Sequence, residues 1–218
     1  MTNKQRKLYL DNNYIMKAIE KDDLWIENKN RHEYIKKRDE EFSKAQLREI
    51  KYEKWDDVCQ ERCFYSKSLI GFINEKPGEW LNYLKDSYIK DYKKNCSFEQ
   101  INAWKDSYLI IIEFLNNMEI SERSGRIIFE YHFKNGRRAD CIIVLNGMVY
   151  IIEFKVKSYY EKKDLSQIKR YAYLTKLELF KGFDIRKILI LSLVDSGFFI
   201  EEGDIVICSG KMLSKAIH

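Results

Sequence analysis

Two Asn-Gly dipeptides, Asn135-Gly136 and Asn146-Gly147, stand eleven residues apart among β-branched and aromatic residues. Each signals a two-residue type I′ hairpin turn, because both central positions of that turn need a left-handed backbone. The stretch Arg126 to Lys157 therefore reads as three short antiparallel strands, RIIFEYHF, RRADCIIVL and MVYIIEFK. A plain two-residue loop sets the register of the second hairpin. Leu145 faces Met148, Val144 faces Val149, and counting away from the turn puts Asp140 opposite Glu153. Side chains alternate along a strand, so Lys155 shares the face of Glu153, while Ile152, Phe154 and Val156 point the other way. In the same simple register Glu130 pairs with Cys141 and lies on the face away from Asp140; a bulge in the first hairpin would reverse this.

Two carboxylates directly across a hairpin repel each other. A fold keeps such a pair when something positive sits between them. A divalent cation with hard oxygen ligands is the natural choice, and Lys155 adds a second positive centre. Asp140 followed by Glu153-x-Lys155 at the end of an apolar strand resembles the PD-(D/E)XK nuclease superfamily. Glu-x-Lys recurs at Glu27-x-Lys29 and Glu161-x-Lys163, but neither copy follows a five-residue apolar strand or has a carboxylate placed opposite by a hairpin.

The resemblance implies an α/β fold: a restriction-endonuclease-like core, with a mixed central sheet flanked by helices. It implies Mg2+ or Mn2+ held by Asp140, Glu153 and the backbone carbonyl of Phe154, polarising a phosphate and acidifying a water. Lys155 would orient or deprotonate that water, or offset charge on the phosphorane. Gln167 and Tyr171 lie four apart on the following helix, so they share a face. They match the Gln-x-x-x-Tyr pair that lines the substrate groove in superfamily members acting on DNA ends and breaks. Glu113, on the helix before the core strands, is the candidate for a further acidic residue, and Glu130 is an extra carboxylate. Arg137, Arg138, Lys157, Lys162, Lys163, Lys169 and Arg170 cluster around the site in sequence, with Tyr159 and Tyr160 among them, which suits a nucleic-acid backbone.

A closer resemblance covers roughly residues 60 to 210. The ordered strings YSKSLIGFI, EWLNYL, SFEQINAWKDSYLII, FEYHF, RRAD, IIEFK and QIKRYAYL are similar to the N-terminal nuclease domain of bacterial proteins whose C-terminal part is a superfamily 1-like helicase. That implies a helicase domain or subunit as partner. The sequence has no Gly-x-x-x-x-Gly-Lys-Ser/Thr loop, so it holds no ATPase of its own; the expectation is a nuclease domain of a larger protein or a stand-alone relative.

The rest of the chain bounds these readings. With 218 residues, 45% hydrophobic and 14% aromatic, it can build a sizeable core, and its net charge of +5 is compatible with an anionic partner. Residues 1–66 are dense in charge and read as a helical extension; residues 67–218 read as the nuclease-like domain. Within it, Pro77-Gly78 precedes a helix carrying Trp80, Leu81, Leu84 and Tyr88, and a second helix runs from Ser97 to Asn117. Its second half, with Leu109, Ile110, Ile112 and Phe114, is apolar nearly all round and is expected to be buried. A third helix covers 164–180. RKILILSLV, from Arg186, reads as a buried strand reached by a βαβ crossover, and FFI and IVI as two more strands. Five cysteines with no signal peptide point to free thiols in a reducing compartment. Cys59 and Cys63, one helical turn apart, have no second Cys/His pair near them to complete a zinc site. No apolar run is long enough to span a bilayer, so a cytoplasmic protein without a membrane partner is expected. Three histidines are too few for His-based phosphodiester chemistry. The expected function is a metal-dependent nuclease acting on DNA in bacterial repair, restriction or phage defence. The rival is a nucleic-acid-binding module of the same fold that does not cut.

Overall fold

The described residues are built around a single mixed sheet. The computed structural model describes residues 62–119 and 123–217, all of which fall in one compact unit. Among the described residues the sheet has seven strands: β1 Cys63–Ser68, β2 Gly125–His132, β3 Arg138–Leu145, β4 Met148–Lys155, β5 Ile185–Leu191, β6 Phe199–Glu202 and β7 Ile205–Cys208. Their order is β1-β2-β3-β4-β5-β7-β6. Neighbours from β1 to β4 are antiparallel, β5 lies parallel to β4 and to β7, and β6 closes the far edge antiparallel to β7.

Helices cover both faces. On one side lie α1 Leu69–Ile73, α2 Pro77–Tyr92, α3 Phe98–Asn117 and the short α5 Leu213–Ile217. Phe72, Trp80, Trp104 and Ile111 from them pack on Ile127, Phe129, Ile143 and Ile152. On the other side α4, Lys162–Glu178, sets Ile168 and Ala172 on Ile142, Val144, Val149 and Ile151. The sheet is thus buried on both faces, which explains the continuous apolar runs of β3, β4 and β5. Local signals place the helices as read from sequence. Pro77 opens α2 at a position whose N–H has no helical partner, and the Ser97 hydroxyl accepts from the Gln100 N–H to cap α3. The β4–α4–β5 crossover gives the expected parallel pairing.

The two Asn-Gly hairpins differ. Asn146 and Gly147 both have positive φ, 51° and 80°, the expected type I′ turn, and Leu145 pairs with Met148. In the first hairpin only Gly136 is left-handed, with φ 78°. The Phe133 N–H donates to the Arg137 carbonyl at 2.8 Å and the Gly136 N–H to the Phe133 carbonyl at 2.9 Å. The loop is therefore three residues, Lys134 to Gly136, with glycine at the left-handed position. The extra residue slides β2 by one: Phe129 pairs with Cys141 and Tyr131 with Ala139. Glu130 falls between those pairs, opposite Asp140 and not opposite Cys141. This corrects the simple register.

Three other details depart from the sequence reading. β1 begins at Cys63, so the sheet starts before position 66, where the sequence suggested a boundary. Leu109 on α3 is exposed, not buried. After β7 comes a short helix not read from the sequence, α5, with Leu213, Ala216 and Ile217 buried. The charged helical extension, residues 1–61 of it, and Cys59 lie outside the described residues. Among the described residues no helix is long and apolar enough to cross a membrane.

Candidate active site

The site forms where β3 begins and β4 ends. The β3–β4 ladder runs from the turn as far as Cys141 paired with Ile152. One step further, side chains replace main-chain partners. The Asp140 N–H donates to Glu153 Oε1 at 3.3 Å, and the Phe154 N–H donates to Asp140 Oδ2 at 3.0 Å. Each strand thus gives an N–H to the acid on its neighbour, which holds the two carboxylates side by side despite their charge. Glu153 is fully buried, while Asp140 is partly open.

Lys155 and Gln167 close the cluster. Lys155 Nζ lies 3.5 Å from Glu153 Oε2 and donates to Gln167 Oε1 at 3.2 Å. The Gln167 amide donates to Glu153 Oε2 at 2.9 Å and to the Tyr171 hydroxyl at 3.2 Å. The five residues expected from sequence, Asp140, Glu153, Lys155, Gln167 and Tyr171, are therefore joined in one network. Burial holds the Glu153 carboxyl well above its ordinary range, and the neighbouring Asp140 pushes the same way, against Lys155 and the Asp140 N–H. Burial, then Glu153, raises the Tyr171 hydroxyl; its ring is packed beside Phe133.

Glu130 forms a second layer on the α3 side. It keeps a left-handed backbone, φ 56°, which is costly for a residue with a side chain. Its carboxylate accepts from Trp104 Nε1 at 2.5 Å and pairs with Arg138 Nε. Burial pushes its carboxyl up to about 7 against the pull of Arg138, with Asp140 adding to the rise. Trp104 and Arg138 were not legible from the sequence as partners of Glu130, because both meet it only through the tertiary fold. Glu113 is exposed on α3, nine residues beyond Trp104 and so about 13 Å further along the axis. No hydrogen bond or ion pair ties it to the cluster. The acid on the α3 side that feels Asp140 is Glu130.

The basic residues sort into two groups. Arg137, Lys162, Lys163, Lys169 and Arg170 are exposed. Lys163 makes a 2.8 Å ion pair with Glu161. Arg138 and Lys157 are engaged inside the fold. Arg138 lies over the rings of Phe64 and Tyr92 as well as on Glu130. Lys157 bonds Asp164 at 2.5 Å and Glu161 at 3.1 Å, the two acids that form the capping box of α4.

Among the described residues, no group of three or more His, Cys, Asp or Glu side chains is gathered to hold a metal. What the site does offer is a hard-oxygen pair, Asp140 and Glu153. Burial first, and Asp140 beside it, raise the Glu153 carboxyl against the pull of Lys155. A small dication that takes two carboxylates, a main-chain carbonyl and solvent oxygens fits this donor set. The thiols of Cys141 and Cys208 are buried and pushed up by that burial, so they do not suit soft-metal binding.

A mixed sheet flanked by helices, with Asp140 and Glu153-x-Lys155 meeting at the end of a hairpin, defines an α/β domain consistent with a PD-(D/E)XK core. Residues 121–202 match the family model of the PD-(D/E)XK nuclease superfamily. No curated protein matches the sequence. A solved structure, protein VC1899 from Vibrio cholerae, is similar at 12% identity and a TM-score of 0.32, over 79% of this chain and 50% of that one. The chain thus spans about half the length of that protein.

Proposed function

We propose that this domain hydrolyses phosphodiester bonds in DNA with Mg2+ or Mn2+ held by Asp140, Glu153 and the Phe154 carbonyl. The observation that carries the reading is the meeting of two carboxylates and an amine at one spot, with Lys155 Nζ 3.5 Å from Glu153. When bound, the cation supplies Lewis acidity toward the phosphate and lowers the pKa of a water. Asp140 and Glu153 contribute the fixed negative oxygens. Lys155 brings a localised positive charge that offsets the charge building on the phosphate during displacement. Gln167, donating to Glu153 and accepting from Lys155, fixes both side chains and so limits the reorganisation needed at the moment of reaction. Arg137, Lys162, Lys163, Lys169 and Arg170 neutralise the substrate backbone in this proposal. A cytoplasmic role in bacterial repair, restriction or phage defence, with a helicase domain or subunit as partner, rests on the family resemblance.

The test uses the purified chain with plasmid, linear duplex and single-stranded DNA in Mn2+, Mg2+ or chelator. Cleavage that needs the cation, and that Asp140→Ala and Lys155→Ala remove while far-UV circular dichroism stays unchanged, supports the proposal. Salt-dependent DNA binding with no cleavage under any metal overturns it in favour of a non-cutting module.

A further inference from the structure

The connector between β4 and α4 carries a feature that the hydrolytic cluster does not use. Four residues past Lys155, Tyr159 is 62% exposed. One side of its ring is occupied: Lys157 Nζ lies 5.1 Å from the ring centroid. That ammonium is itself anchored by Asp164 and Glu161, so it is a fixed support for the ring and not a loose surface charge. Two more apolar side chains flank the same segment. Val156 is 59% exposed and Leu193 61%, and the main chains of the two segments are joined, the Leu193 N–H donating to the Lys157 carbonyl at 3.3 Å and the Ser192 N–H to the Lys155 carbonyl at 3.0 Å. The adjacent Tyr160 is different. Its hydroxyl is bonded to Glu202 and its ring packs against the core beneath α4.

An aromatic ring backed by a pinned cation, on a segment that also exposes apolar side chains and follows a cluster suited to phosphate chemistry, has one natural occupant. We infer that Tyr159 is a stacking platform for an unpaired base of the strand whose phosphate lies at Asp140 and Glu153. Charge supports nucleic acid over an apolar peptide, since Lys155, Lys162 and Lys163 flank the segment in sequence, the neighbouring carboxylate Glu161 is already paired with Lys157 and Lys163, and Glu202 is engaged by the Tyr160 hydroxyl. Bases inside a duplex are covered on both faces by their neighbours, so a ring at this place can take only a base that has left the stack. The substrate class is therefore a single strand, or a duplex that presents a frayed end or flap. This deepens the nuclease reading and rests on it only for where the phosphate sits.

The test is a binding measurement in chelator, where nothing is cut. Fluorescence anisotropy compares a labelled single-stranded oligodeoxynucleotide with the same sequence as a blunt duplex. Tyr159→Ala is expected to weaken the single strand by about five-fold or more, the size of one base–aromatic stack, and to leave the duplex within about two-fold. Tyr159→Trp is expected to restore the affinity, with its added indole emission quenched by the single strand. Tyr173→Ala, at an equally exposed ring on α4, is expected to change neither. Equal loss on both substrates, no loss on the single strand, or no rescue by tryptophan overturns the platform. Absence of cleavage in the separate metal assay overturns the nuclease reading while leaving a Tyr159-dependent single-strand preference standing, so the two failures are distinct.

Discussion

Glu153 Oε1 accepts the main-chain N–H of Asp140 at 3.3 Å, at the point where the β3–β4 ladder ends. The acid that most needs compensation is therefore tied to the backbone of the other acid, and the Phe154 N–H returns the bond to Asp140. In the proposed mechanism the same two side chains serve the backbone and would hold the cation.

That sharing separates two variants. Asp140→Ala removes a carboxylate oxygen and leaves the Phe154 N–H without its partner, a loss of about 1–3 kcal/mol. It is expected to lower the melting temperature, weaken Mn2+ binding in calorimetry and cut turnover by about a hundred-fold or more. Lys155→Ala is expected to cut turnover similarly while leaving Mn2+ affinity nearly intact. Equal loss of metal binding in both would contradict the separate roles.

Stability of the metal-free protein is expected to fall as pH rises. Glu130 and Glu153 both have folded-state carboxyls raised above 4.5, so the folded chain holds more protons than the unfolded one in the window above that value. Their contribution is complete below 4.5 and is lost as pH climbs, for Glu130 through about 7. His132, lowered by burial and then by Arg138, works the opposite way below 6.5. Thermal melts across this range check the slope. Mn2+ is expected to flatten it, and Glu130→Gln to remove the part that ends near pH 7.

Arg138 and the outer lysines are expected to fail differently. Arg138 is only 22% exposed and compensates a Glu130 side chain that is 4% exposed. Arg138→Ala leaves that acid uncompensated and is expected to cost about 3 kcal/mol in chemical denaturation. Lys169→Ala and Arg170→Ala are expected to leave stability unchanged, to weaken DNA binding, and each to reduce the log–log salt slope by about 0.7–0.9. A salt-slope change without destabilisation at Arg138 would reverse the assignment.

Gln167→Ala removes the group that spans Glu153 and Lys155. Outer partners of this kind are expected to matter about 10–100-fold in turnover. Tyr171→Phe, which removes only the acceptor for one Gln167 N–H, is expected to be several-fold milder. Single-turnover rates with saturating Mn2+ separate the two.

The candidate cluster was legible because period-two alternation and one type I′ turn place Asp140, Glu153 and Lys155 without further information. Gln167 and Tyr171 followed from helical spacing. The position of Glu130 was not legible, since Asn-Gly also serves a three-residue loop, and only the Phe133–Arg137 pairing distinguishes the two. β1 escaped notice because it is an edge strand whose second half, Ser66 to Ser68, is polar and half exposed. Glu113 was chosen from its helix alone, and sequence periodicity does not say which end of α3 meets the site. Trp104 reaches it through the register of β2, a long-range property.

The three-residue loop from Lys134 to Gly136 also bears on which length changes this fold tolerates. Dropping one residue there forces β2 a step along β3 and exchanges which side chains face each helical layer. A length change at this tip is expected to alter the chemistry of the site, whereas one at an exposed stretch such as Asp195 to Gly197 leaves that register untouched.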